Sequence, residues 1–171
     1  MWHTSFDEVI LTPERASMAT ERNETLGENS SEGTEENEPG FTPELVDHVR
    51  RPRNIGRLEV FDAVGEALSD CGHDELEFTL LERQGTIKRV GFVARCCVHT
   101  LACASAATTL VAGKTPLEAR QALRPEAIDE VLGGLPSSHA HCAELAATAL
   151  RRAIDSLLAT ANEPWKRLYR S

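Results

Sequence analysis

The chain has 171 residues, a formal net charge of −9 and five cysteines; 41% of it is hydrophobic and 26% charged. No run of about 18 apolar residues occurs, so no transmembrane helix is expected, and no basic stripe with interleaved aromatics marks a nucleic-acid surface. The length fits one domain plus a tail, and an odd number of irregularly spaced cysteines reads as metal binding or catalysis rather than as a disulfide framework.

The acidity is local. Residues 1–40 hold ten acids against two bases and few apolar side chains. Glu21 to Gly40 cannot bury enough surface to offset the entropy of ordering, so an acidic, mostly disordered arm is expected over residues 1–40. The start has neither a basic n-region nor an apolar h-region, so a cytoplasmic protein with reduced thiols is expected.

The folded part is expected from Phe41 to about residue 160. Thr42-Pro43 is a helix start, with Thr as N-cap and Pro at the first helical position. Arg51-Pro52 ends that helix, and Pro52 to Gly56 form a turn, read as structural. Leu58 to Leu68 contains two short β-like pieces. Leu76 to Leu80 alternates as a half-buried strand. Arg83-Gln84-Gly85-Thr86 is a hairpin turn. Ile87 to Ala94 returns with Val90, Phe92 and Ala94 on one face. A three-stranded antiparallel meander follows.

Arg95 to Thr115 then opens with Cys96 and Cys97 and continues as a small-residue helix ending at Gly113. Two short helices start at Thr115-Pro116 and Arg124-Pro125, the second ending at Gly133-Gly134. Ser138 is a candidate cap for the last helix. That helix carries Leu145, Ala149, Leu150, Ala153, Ile154, Leu157 and Leu158 on one face. Residues 161–171 are a basic-aromatic tail.

Three places offer soft ligands: Cys71-Gly72-His73-Asp74 before a strand, Cys96-Cys97 at a strand-to-helix junction, and His141-Cys142 in the first turn of the last helix. Cys71, Cys97 and Cys142 with His73, Asp74 or His141 would make a tetrahedral site suited to zinc or to an iron–sulfur cluster. The remaining candidates read as background. Strand alternation sends Cys96 to the face opposite Cys97. Cys103 reads as core, His48 as a structural helix residue, His99 as solvated and His139 as a surface residue at the cap.

Taken together, Asp47-His48, Pro52-Arg53-Asn54-Ile55-Gly56, Cys71-Gly72, Cys97 before a helix ending Gly113-Lys114-Thr115, Leu135-Pro136 and His141-Cys142 resemble the IscU/NifU-type iron–sulfur cluster assembly scaffolds. The resemblance spans Glu44 to about Leu158, and the 26-residue step from Cys71 to Cys97 fits without a gap. It implies an α+β fold of the SufE/NifU-like kind, a three-stranded antiparallel sheet with helices packed on it. It also implies a non-enzymatic scaffold that receives sulfur from a cysteine desulfurase, holds iron or a [2Fe-2S] cluster, and passes it to carriers or apo-proteins. Carried over by position, the ligands are Cys71, Cys97 and Cys142 with His141.

The departures from the family pattern set the expectations for this chain. His73 stands where the family has Asp, with Asp74 one place later; a His there suits zinc or iron and would hold metal more firmly. Cys142, at a helix N-terminus, is expected to supply the thiolate that attacks a persulfide. Cys96 occupies a family Gly position and is an auxiliary candidate. Leu135-Pro136-Ser137-Ser138-His139 lacks the second Pro and the Lys of the family's chaperone-recognition stretch, so recognition by a dedicated heat-shock chaperone is not expected. Two other functions remain open at this point: a zinc-holding sulfur acceptor of the same fold, and a diverged interaction module.

Overall fold

A computed structural model describes residues 41–69 and 72–162, with backbone alone for 161 and 162. The acidic arm, Cys71 and nearly all of the C-terminal tail lie outside the described residues. The elements in chain order are α1 (Pro43–Arg50), β1 (Ala63–Leu68), β2 (Glu75–Arg83), β3 (Thr86–Arg95), α2 (Val98–Val111), α3 (Pro116–Ala122), α4 (Pro125–Val131), a 3₁₀ turn (Ser137–His139) and α5 (Ala140–Asn162).

The strands form an antiparallel sheet in the order β1-β2-β3. Gln84 and Gly85 both have positive φ, 56° and 77°, the backbone that a tight hairpin between right-twisted strands requires. On the central strand Leu76, Phe78 and Leu80 alternate onto one buried face, and Phe78 pairs across strands with Phe92, ring centroids 5.8 Å apart. Each such ring contributes about 1.5–3 kcal/mol by leaving water. One bulge breaks the ladder: Leu81 faces Arg89 while Glu82 faces Ile87, which leaves Lys88 unpaired. That extra residue re-phases β3, so that Ile87 and Val90 are both buried despite their odd spacing.

The segment from Leu58 to Leu68 forms a single strand, β1, rather than two. The chain before it is used differently. Gly56 N–H donates to the Phe92 carbonyl (2.7 Å) and Phe92 N–H to the Asn54 carbonyl (3.1 Å), so residues 54–56 cover the outer edge of β3. Pairing to an existing sheet edge supplied by tertiary contact overrides the weak local pattern.

Helix α5 lies across β1 and β2, α2 packs beside α5, and α1 lies on α2. The close approach of α5 to β1 depends on Gly65, where a Cβ would fall 2.2 Å from Ala153 N and 2.4 Å from the Ala149 carbonyl oxygen. Helix α2 is buried on nearly every side, through Ala102, Cys103, Ala104, Ser105, Ala106, Ala107 and Thr108. Small side chains are what allow a helix to be packed from so many directions. Cys103 is therefore core.

Two hydroxyls on α2 fasten the Pro52-Arg53-Asn54 turn. Ser105 Oγ accepts the Arg53 N–H at 2.8 Å and lies 2.8 Å from His48 Nδ1. Burial, followed by the Arg53 charge, lowers the His48 pKa. Asn54, at φ 61°, donates from Nδ2 to Thr108 Oγ1 at 2.9 Å. Buried His48 and this exposed turn are thus both latched to α2 through Ser105 and Thr108.

Candidate metal centre

Three chain segments end at one place. The loop from Ser69 into β2 is closed by Ser69 N–H to the Asp74 carbonyl (2.8 Å) and Asp74 N–H to Ser69 Oγ (3.0 Å). This holds Asp74, which is buried, at the start of the central strand. Cys97 is the N-cap of α2, at φ −71° and ψ 166°. Cys142 lies in the first turn of α5. A carboxylate oxygen of Asp74 and the sulfurs of Cys97 and Cys142 all lie within 4.8 Å of one another. Among the described residues no other group of three donors is drawn together in this way.

Hydrogen bonds fix the arrangement. Cys97 N–H donates to Asp74 Oδ1 at 3.1 Å and Thr100 Oγ1 donates to Asp74 Oδ2 at 2.8 Å. Asp74 therefore caps the helix that carries Cys97, satisfying donors that a helix start leaves open. Thr100 N–H donates to Cys97 Sγ at 3.5 Å, and the Thr100 hydroxyl lies 3.3 Å from the same sulfur. The two sulfurs are 4.0 Å apart.

The sulfurs share a proton unequally. The Cys142 S–H beside it pulls the Cys97 pKa down to about 5, with Thr100 adding to the effect and burial opposing it. Donation to Cys97, together with burial, pushes the Cys142 pKa up. The lowered pKa is thus at Cys97, whereas the sequence expects the thiolate at Cys142. The reason is positional: Cys97 is the capping residue that faces the open N–H groups of its helix and is half-buried, whereas Cys142 is fully buried inside the first turn of α5.

The other candidates divide. His73 is exposed, and the group near the sulfurs at this end of β2 is the Asp74 carboxylate. His141 is exposed, with Nε2 3.6 Å from Cys142 Sγ. Cys96 is half-buried, and its thiol is pushed up to about 12 by burial first, then by the Asp74 and Cys97 charges. Cys103 is pushed up to about 12, chiefly by burial. His99, expected in solvent, is buried: its ring stacks on His139, centroids 3.8 Å apart, and meets Phe41 at 5.0 Å. Ser138 does not cap a helix; its hydroxyl lies 2.9 Å from His139 Nδ1 within the 3₁₀ turn. Sequence reasoning missed Thr100. The available signal was its place three residues after an N-cap, where a helix start directs both its N–H and its side chain back at the cap.

These directions predict a labelling pattern. In the metal-free protein Cys97 is expected to react with iodoacetamide at pH 6 nearly as fast as at pH 8, because it is already thiolate above about pH 5. Its rate should fall only below that pH, whereas an ordinary thiol loses about tenfold per unit below its pKa. Peptide mass mapping of the alkylated sites checks this; a tenfold loss at Cys97 between pH 8 and 7 would refute it.

A family model described as the NifU-like N-terminal domain matches residues 41–163. The chain belongs to the NifU-like N-terminal domain family. This NifU-like domain is 37% identical over 114 residues to "Iron-sulfur cluster assembly scaffold protein IscU 1" of Archaeoglobus fulgidus, covering 67% of this chain and 74% of the relative. It is 32% identical over 120 residues to the iron-sulfur cluster assembly scaffold protein IscU of Aquifex aeolicus, covering 69% and 76%. Among solved structures, a nitrogen-fixing NifU-like protein (N-terminal) from Brucella abortus matches with a TM-score of 0.57 over 70% of this chain and 94% of that one. At 18% identity that likeness is one of fold. The three-stranded sheet with packed helices is the fold expected from the sequence. The three donor atoms stand at one edge of this NifU-like domain, where two helices and the central strand begin.

Proposed function

We propose that this chain is a scaffold for iron–sulfur cluster assembly, with the cluster as its cargo. The convergence of Asp74, Cys97 and Cys142 carries this reading. Two sulfurs and one carboxylate oxygen form a donor set that accepts iron, with soft thiolates for the cluster and a harder oxygen that is more readily exchanged. Cys71, next to Gly72 and three residues from Asp74 in sequence, is the third sulfur, and His141 stands by as a further ligand. Relatives named as iron-sulfur cluster assembly scaffolds support the reading.

Sulfur arrives from a cysteine desulfurase. The Cys97 thiolate attacks the terminal sulfur of the donor's persulfide; a new S–S bond forms on Cys97 and the donor leaves as thiolate. Cys97 is the half-buried member of the pair and has the lowered pKa, which supports it as the receiving residue. A groove of about 470 Å³ between the end of β1 and the start of α5, lined by Leu68, Ser69, His141, Glu144 and Arg152 among others, lies beside the site without including either sulfur. Acceptor apo-proteins or cluster carriers then take the cluster in the cytoplasm. Apart from this sulfur transfer, the chain's part is to hold the cluster and hand it over.

Anaerobic incubation of the purified protein with ferrous iron, cysteine, a desulfurase and excess dithiothreitol, which reduces the persulfide sulfur to sulfide, is expected to give the visible absorption of a [2Fe-2S] cluster. A colourless product, while a known scaffold reconstitutes alongside, would overturn the proposal. Elemental analysis of the untreated protein separates the zinc reading: one zinc per chain that resists displacement by iron would make this a zinc-holding sulfur acceptor instead.

A further inference from the structure

The two sulfurs stand on separate helix starts, and their 4.0 Å separation is only as constant as the distance between those helices. One contact between the two starts uses no ligand atom of the site. The ring of His99, two residues after Cys97, stacks on the ring of His139, three residues before Cys142. Their centroids are 3.8 Å apart and their planes 25° from parallel. Phe41 packs on His99 at 5.0 Å, and His141 lies 6.2 Å beyond His139, also at 25°. Four rings therefore run from the entry of α1 to the first turn of α5.

Stacked imidazoles hold their lone pairs in near-parallel planes, side by side rather than aimed at a common point. What the pair offers is face-to-face packing, which is specific in distance and angle. His99 is buried and fixed by α2, and His139 is half-buried on the short turn that sets the start of α5.

We propose that the His99–His139 stack is a strut that sets the separation of Cys97 and Cys142, so that the sulfur pair is in place before metal arrives. Both histidines are positioning residues and act through the cysteines. This rests on reading Cys97 and Cys142 as ligands, but its test does not require cluster assembly.

The test uses the full chain, reduced and metal-free, with two measurements. One is titration with cobalt(II) alone, followed by the thiolate-to-cobalt charge-transfer absorption. The other is the rate at which glutathione disulfide converts Cys97 and Cys142 to a disulfide, read by peptide mass mapping. In that reaction the two thiols lose two electrons and two protons, and glutathione disulfide becomes two glutathiones. His139→Ala is expected to weaken cobalt binding and slow the cross-link by about three- to tenfold each, the range a stacked aromatic pair accounts for. His139→Phe keeps the ring face without the nitrogens and should restore both to near the wild-type values. If His139→Ala proves unfolded at the assay temperature, His139→Leu replaces it, and loss in Leu with retention in Phe supports the strut. Wild-type behaviour in the Ala or Leu variant overturns it. A Phe variant as impaired as Ala also overturns it, since a nitrogen would then be the working part. A protein with this pattern that builds no cluster leaves the strut standing and removes the scaffold reading.

Discussion

Cys97→Ser is expected to abolish cobalt and cluster loading while leaving the fold intact. Cys97 provides both the negative charge of the sulfur pair and one of the three converging donors. Losing a residue that only supports a ligand costs about 10–100-fold in metal affinity, so losing a ligand should exceed about a hundredfold. Serine is chosen because Cys97 is also the N-cap of α2, and its side chain accepts the Thr100 N–H. Serine is a good N-cap, whereas alanine would give up about 1 kcal/mol of helix stability and confuse the result. Serine thus keeps the local structure and removes the soft ligand alone. Cys103→Ala, in the core of the same helix, should load normally. Cobalt charge-transfer absorption and reconstitution measure both. A serine variant that loads half as much as the wild type would remove Cys97 from the site.

Gly65→Val is expected to lower stability by about 3 kcal/mol, the upper range for overpacking a close contact. For a folded unit of this size that amounts to a fall of about 10 °C in the melting midpoint. A Cβ at residue 65 would lie 2.2 Å from Ala153 N, a backbone atom, so no side chain can rotate out of the way. The helix itself must lift off β1. Because α5 also carries Cys142, the same displacement should disturb the sulfur pair, and cobalt affinity measured below the melting range should fall with it. Glu66→Ala, at the exposed neighbouring position, is the control and should melt near the wild type. A Gly65→Val protein that melts within a degree or two of wild type would show that α5 and β1 are not in close contact.

Much of the fold was legible in the chain because each signal was local. Thr42-Pro43 and Thr115-Pro116 start helices, with Thr42 and Thr115 accepting from the N–H groups of Leu45 and Glu118. The Gln84-Gly85 turn and the alternation of Leu76, Phe78 and Leu80 specify a hairpin and a face. The bridge of Ile55 and Gly56 to β3, in a stretch read as a turn alone, was missed because its backbone partner, Phe92, is far away in sequence. His99 failed for a related reason: helix starts are usually wet, and only the return of the chain at Phe41 and His139 covers this one.

By itself, the sequence determined the element types, the small-residue character of α2 and the soft-ligand candidates Cys71, Cys97 and Cys142. Those depend on residue chemistry and on contacts within a few positions. The tertiary structure alone decided which carboxylate or imidazole meets the sulfurs and which sulfur has the lowered pKa. His73 and Asp74 are neighbours in sequence, but successive residues leave the chain in different directions, and it is Asp74 that turns inward to cap α2. Cys97 and Cys142 both lie at helix starts. Their difference in ionisation comes from which faces the open N–H groups and which is enclosed as the donor, a matter of where two helices separated by 45 residues come to rest.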